Sequence, residues 1–243
     1  MDQDRIIAIE TSGRHGSVAL GQGPKLLAEV RFSAHQEHAR DLIPTADRLC
    51  REHGWSPDTI KQCYLSIGPG SFTGLRVAVA FARHFALSVG VKICAVPTLD
   101  VISENVSELE KPPPHLAVIL DAKRGEVFSA VFAFKDGLYR RIAEPRMIEP
   151  AKLIADAPSP IGIVGEGIDY HRNAVEAANV EILDNALWWP RATHVHRIGW
   201  RLALQGDFVD PTHLTPFYLR RPEAEELWER RHGASSPNPD KDT

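Results

Sequence analysis

The spacing of apolar residues changes period several times along the chain, and each change predicts an element. Residues 6–10 and 16–20 are short strand-forming runs around a polar turn that contains Gly13, which predicts a hairpin. Residues 25–32 alternate loosely and give a third strand. Helical spacing then takes over, with Leu42, Ile43, Ala46, Leu49 and Cys50 recurring up to Gly54; Ser33 is the candidate N-cap, and Pro44 marks either a kink or the true start. Ser56-Pro57-Asp58 opens a single turn and residues 63–67 form a strand. Gly68-Pro69-Gly70-Ser71 then punctuates the chain before a long helix over 72–89. A strand at 91–96 and a helix capped by Thr98 and reaching 105 complete the series.

The second half repeats the order. Strands at 115–120, 126–134 and 138–148 are joined by a polar turn at 121–125 and by Asp136-Gly137. A helix starts at Pro150, a strand covers 161–164, and helix, strand and helix follow at 169–178, 180–183 and 193–205. Between the repeats, charged residues run into Pro112-Pro113-Pro114, which suits neither a helix interior nor a central strand. Residues 1–106 and 115–220 are therefore read as two halves, 107–114 as a linker and 221–243 as a tail whose end, 234–243, is expected to be disordered. Two mixed sheets with helices follow from the alternation. Each half opens on an acidic residue after an apolar strand, Glu10 and Asp121, so the whole resembles the duplicated ribonuclease-H-like fold of the actin and sugar-kinase (ASKHA) superfamily.

Composition narrows the function. With 43% hydrophobic residues the chain can bury a core, and 28 Lys and Arg against 32 Asp and Glu leave no global field to draw in nucleic acid. The compact basic points are Lys123 with Arg124 and Arg220 with Arg221. The apolar stretch from 72 to 91 is interrupted by Arg76, Arg83 and His84, and the N-terminus reaches a strand-like run within five residues, so neither a membrane span nor a secretory signal is expected. Cys50, Cys63 and Cys94 lack a C-x-x-C spacing and read as reduced thiols of a cytosolic protein. None of the 11 histidines stands four residues from another, so helical metal pairs are absent and no metal site is expected.

Three features could carry chemistry. The segment Gly68-Pro69-Gly70-Ser71-Phe72-Thr73-Gly74-Leu75-Arg76 places glycines between a buried strand and a helix, as a structural turn or as an anion or nucleotide loop built on Gly68, Gly70, Ser71, Thr73 and Gly74. It has neither the Walker A spacing nor the dinucleotide one. Glu10 and Asp121 are turn formers or carboxylates for a metal-bound nucleotide. The helix over 72–89 has almost no polar face, so it is covered either by its own chain or by another subunit.

Together these residues resemble the TsaB (YeaZ) family. The resemblance spans residues 5 to 228 and rests on Ile6-Ile7-Ala8-Ile9-Glu10-Thr11-Ser12, on His38 with Leu42, Ile43 and Pro44, and on 67–76; it also uses 121–128 and Leu214-Thr215-Pro216-Phe217-Tyr218-Leu219-Arg220. It implies a non-catalytic subunit for making threonylcarbamoyladenosine (t6A) in transfer RNA, binding a TsaD-like transferase and helping recruit a TsaE-like ATPase. It also implies a homodimer when alone, tRNA met only through the complex, no membrane contact, a cytoplasmic location and no cofactor beyond weak or interfacial ATP or ADP. The partner-binding residues so implied are Leu42, Ile43, Ala46, Leu49, Phe72, Leu75, Arg76, Val79, Ala80 and Arg83. No zinc pair or activated nucleophile supports a peptidase. The alternative is a kinase-like or ATP-hydrolysing enzyme using Glu10, Asp121 and the glycine loop, and a weaker one is direct RNA binding through Lys123, Arg124, Arg220 and Arg221.

Overall fold

The computed structural model describes residues 3–32 and 38–220. Strands β1 (Arg5–Glu10), β2 (Gly16–Gln22), β3 (Lys25–Phe32), β4 (Ile60–Gly68) and β5 (Lys92–Pro97) form one sheet in the order β3-β2-β1-β4-β5. Strands β6 (His115–Asp121), β7 (Val127–Lys135), β8 (Leu138–Ile148), β9 (Ile161–Val164) and β10 (Val180–Ile182) form the other, in the order β10-β9-β6-β7-β8. In both, the first strand is antiparallel to the hairpin partner that follows it and parallel to the fourth strand, so the second sheet repeats the first. This is the duplicated ribonuclease-H-like plan that the sequence order predicts.

Period-two alternation decides which side chain meets which layer. On β1, Ile7 and Ile9 point into one core with Leu42, Leu49 and Ala78, while Ile6 and Ala8 point into another with Val195 and Trp200. Helices α1 (His38–Glu52) and α2 (Phe72–Val89) cover the first face, and α6 (Ala192–Leu204) covers the second. Helix α6 lies close because Gly199 has no side chain: a Cβ there would sit 2.5 Å from the Tyr64 ring.

Packing does not follow the expected division at 107–114. Helix α3 (Thr98–Ser107) sends Leu99, Ile102 and Val106 into the core of the second sheet, together with α4 (Pro150–Asp156) and α5 (Gly167–Val175). Helix α6, expected to belong to the half 115–220, seats on the first sheet, and Leu214 enters the first core as well. Helix α6 thus crosses to the first half, while α3 lies between the two sheets, with Val101 in the core of Ile6, Tyr64 and Val195. Charged groups fasten the crossing: Arg201 binds Glu104 through two hydrogen bonds of 3.0 and 2.8 Å, Arg197 reaches Glu108 at 2.8 Å, and Arg191 reaches Glu29 at 2.7 Å. The proline linker is packed too, since the Tyr139 hydroxyl donates to the Pro113 carbonyl at 2.8 Å.

Smaller departures have local causes. Pro44 lies inside α1 and does not mark its start. Thr98 is the first residue of α3 and not its cap. Helix α5 ends at Val175, where Glu176 turns extended, three residues before the expected end. Ser33, Arg221 and the tail fall outside the described residues.

Candidate functional site

The two halves face each other across a cleft of about 320 Å³, lined among others by Ser12, Arg14, Gly70, Asp121, Glu166 and Trp189. The glycine loop touches it only through Gly70 and Ser71; Gly68, Thr73 and Gly74 do not line it. Gly70, at φ 156°, lies so near the β1–β2 turn that a Cβ would be 2.3 Å from the Ser12 carbonyl oxygen. The Ser71 amide donates to that oxygen at 2.7 Å, the Gly74 amide donates to Ser71 Oγ at 3.3 Å, and Thr11 Oγ1 donates to the Gly74 carbonyl at 2.8 Å. From the far end of the chain the Phe217 amide donates to the Ile67 carbonyl at 2.7 Å, and the Phe217 carbonyl occupies the space beside Gly68. Two amides that an anion would use are thus taken by the protein, and the loop is knit into the fold from both sides.

Glu10 sits at the end of β1 with 0% of its surface exposed. Ser12 donates to its Oε1 twice at 2.5 Å, through amide and hydroxyl, and the Ser66 hydroxyl donates to Oε2. Burial pushes its carboxyl above the usual range despite these bonds. Asp121 accepts from Lys123 Nζ at 2.8 Å and is 3.2 Å from His171 Nε2. Burial would raise its pKa, but the bonds from Lys123 and His171 outweigh it and hold the carboxyl below its usual range. A metal-bound nucleotide in this fold needs carboxylates open to the cleft. Glu10 is sealed and both Asp121 oxygens are engaged, so these residues do not fit one. Among the described residues no three His, Cys, Asp or Glu side chains converge.

The basic points are likewise committed. Lys123 pairs with Asp121, and Arg220 donates to the Ala122 carbonyl and to Glu126 Oε2, the latter at 2.6 Å. The three thiols are buried, which pushes Cys50 up to about 11 and Cys94 up to about 12 and leaves no nucleophile among them.

Helices α1 and α2 meet the outside differently. Leu42, Ala46, Leu49, Leu75 and Val79, expected at a partner surface, are buried within the chain. Leu42, Ala46 and Leu49 on α1 and Val79 on α2 belong to the first core, and Leu75 lies against Gly68, because both helices lay these sides on the sheet; of the five, only Leu42 also reaches the groove above. Ile43, Ala80, Arg76 and Arg83 are exposed and Phe72 is half-buried. Between the helices runs an apolar groove of about 460 Å³ floored by Leu42, Val77, Phe81 and Phe85, with the two Phe ring centroids 5.5 Å apart. Ile43 and Leu87 stand 60% and 76% exposed beside it. Val77, Phe81, Phe85 and Leu87 were not anticipated, although helical spacing leads from Ala80 to Val77 and Leu87 and from Val77 to Phe81 and Phe85. Helix α2 is long and apolar enough to cross a bilayer by length and composition, yet Ala78, Val79 and Ala82 pack into the core.

The end of the chain braces this face. Tyr218 stacks on Phe72 with ring centroids 5.2 Å apart and receives a hydrogen bond from Arg76 Nε at 3.3 Å, while the Arg76 guanidinium lies 3.8 Å from the centre of the Phe72 ring.

Comparison with known proteins gives consistent relatives. Residues 25–228 match the sequence model of a family described as TsaD, tRNA N6-adenosine threonylcarbamoyltransferase. The chain is 25% identical to the tRNA threonylcarbamoyladenosine biosynthesis protein TsaB of Bacillus subtilis over 92% of its length and 97% of the relative's. It is 25% identical to the Escherichia coli protein of the same name over 89% and 94%. Among solved structures, YeaZ from Pseudomonas aeruginosa superposes with a TM-score of 0.76 at 21% identity, over 88% of this chain and all of that one. A second Pseudomonas aeruginosa structure, an uncharacterized protein with similarity to peptidase YEAZ, gives 0.78 at 22% over 89% and all of that chain. At these identities the structures establish the fold.

Proposed function

Since the chain belongs to the TsaD family of tRNA threonylcarbamoyladenosine proteins and to its TsaB (YeaZ) members, we propose that it works in t6A synthesis as a subunit without a reaction of its own. In this reading it docks a TsaD-like transferase through the outer face of α1 and α2, helps recruit a TsaE-like ATPase, and pairs with itself through the same face when alone. It meets tRNA only through the complex, in the cytoplasm. ATP or ADP, where present, lies at a subunit interface and is not turned over by this chain.

The observation that carries the docking role is the open apolar face: Ile43 at 60% and Leu87 at 76% exposure flank a groove that no part of the described chain fills. Apolar area of this kind, rimmed by cations, is what a subunit seam buries. The inactivity rests on the sealed Glu10 and the engaged Asp121, which also weigh against the kinase-like alternative. Recruitment of the ATPase comes from the family resemblance.

Reconstitution tests the reading. Threonylcarbamoyl transfer to tRNA is measured with the transferase, the ATPase and the adenylate-forming enzyme of the same organism, with and without this chain. Strict dependence on the chain, and no transfer by it alone, is expected. The Ala80→Arg chain should fail to support transfer and fail to self-associate while its circular dichroism stays unchanged, because the substitution drives a charge into a desolvated seam. Full transfer without the chain refutes the role.

A further inference from the structure

We propose that the α1/α2 face selects an unlike partner over a second copy of this chain by charge, the partner's facing helix bearing carboxylates opposite Arg83 and Arg76. This rests on the docking reading above. Helix α2 has no Asp or Glu in its 18 residues and carries Arg76, Arg83 and His84 on its outer side. Arg83 is exposed and, among the described residues, has no hydrogen-bond or ion-pair partner. A guanidinium left at the edge of an apolar seam loses water on association, and only a carboxylate brought by the other side offsets that loss.

Helix α2 of a second copy brings none. Antiparallel pairing of two α2 helices about a two-fold axis at Ala80 sets Arg76 of one copy opposite His84 of the other. The same register puts Arg83 opposite Val77, next to the other copy's Arg76. On α1, Asp47 is already paired with Arg51 at 3.0 Å and does not relieve the repulsion. Small Ala80 still lets the helices approach, so self-pairing is opposed by like charges and not by shape. The two associations should therefore respond to salt in opposite directions: screening relieves repulsion in the homodimer and weakens attraction in the heterodimer.

The test uses the full chain, sedimentation velocity for self-association, and calorimetric titration with the TsaD-like transferase of the same organism. Raising NaCl from ~50 to ~500 mM should tighten self-association and loosen transferase binding. Arg83→Glu should weaken transferase binding about tenfold and strengthen self-association, with Arg83→Gln between it and the wild type. Transferase binding that is unchanged in Arg83→Glu, or both associations weakened alike, overturns the charge selection. Ala80→Arg keeps the two ideas apart. If Ala80→Arg abolishes binding and Arg83→Glu leaves it unchanged, charge selection alone falls; if Ala80→Arg leaves both associations intact, the docking face itself is wrong and charge selection falls with it.

Discussion

Acidification should destabilise this protein through one histidine. His194 lies on α6 at the crossing with α3, 0% exposed, with neither ring nitrogen hydrogen-bonded. Burial lowers its pKa from 6.5 to about 4; Glu108 and Glu104 pull it up, and Arg197 and Arg191 push it down. The unfolded chain therefore takes up the proton first as the pH falls. The stability that neutral His194 allows is complete above the unfolded pKa and is lost as the pH drops from 6.5 toward about 4. A gap of about 2.5 pH units at 1.36 kcal/mol each gives roughly 3 kcal/mol in all, most of it spent by about pH 4.5. Other buried acids also titrate in this range, so the quantity to measure is the difference between the wild type and His194→Leu, which has similar volume and no proton to gain. Urea unfolding at about pH 7.5 and about pH 4.5 should show the wild type losing about 2 to 3 kcal/mol more than the variant. At the higher pH the variant should be at least as stable, because it removes two unsatisfied nitrogens. Equal losses in both proteins, or a His194 NMR titration centred near 6.5, would refute the account.

Three further substitutions separate structural from chemical roles. Glu10→Gln keeps one acceptor oxygen for the two Ser12 donors and puts an amide donor opposite the Ser66 hydroxyl, which can turn to accept it, and should support tRNA modification in the reconstituted complex at the wild-type rate; a folded Glu10→Gln chain that cannot do so would restore a chemical role to that carboxyl. Glu10→Ala instead strands three donors and should cost about 2 to 3 kcal/mol in urea unfolding. Gly70→Ala must either push the Ser12 carbonyl away or abandon the loop conformation, and should lower stability by ~2 kcal/mol or more. A Gly70→Ala protein as stable as the wild type would show that the loop is free to move.

Most elements were legible because their signals are local. Strand-forming apolar runs at 6–10 and 16–20, helical spacing from Leu42 to Cys50, and the breaks at Gly68-Pro69-Gly70 and Asp136-Gly137 each act within a few residues, and the structure has those elements within a few positions. Residues 60–62 were missed as strand because Lys61 and Gln62 interrupt the apolar run, although their backbone pairs with β1 and β5. At the candidate site, the apolar excess of α2 was visible. Its division into a buried side with Leu75 and Val79 and an open side with Ala80 and Leu87 was not, since all four are apolar and only neighbours distinguish them.

By itself, then, the sequence determined the repeated strand and helix order, the absence of paired metal-binding histidines, and the string Gly-Pro-Gly-Ser-Phe-Thr-Gly-Leu-Arg that points to the family. The tertiary structure decided that α6 seats on the first sheet and α3 is shared between both, that Glu10 is sealed under Ser12 and Ser66, and that the segment after α6 returns to brace the glycine loop and Phe72. The physical reason is that propensity and period are set by near neighbours along the chain. Burial, pKa and the choice of packing partner are set by contacts such as Glu10 with Ser66 and Phe72 with Tyr218, between residues far apart in sequence.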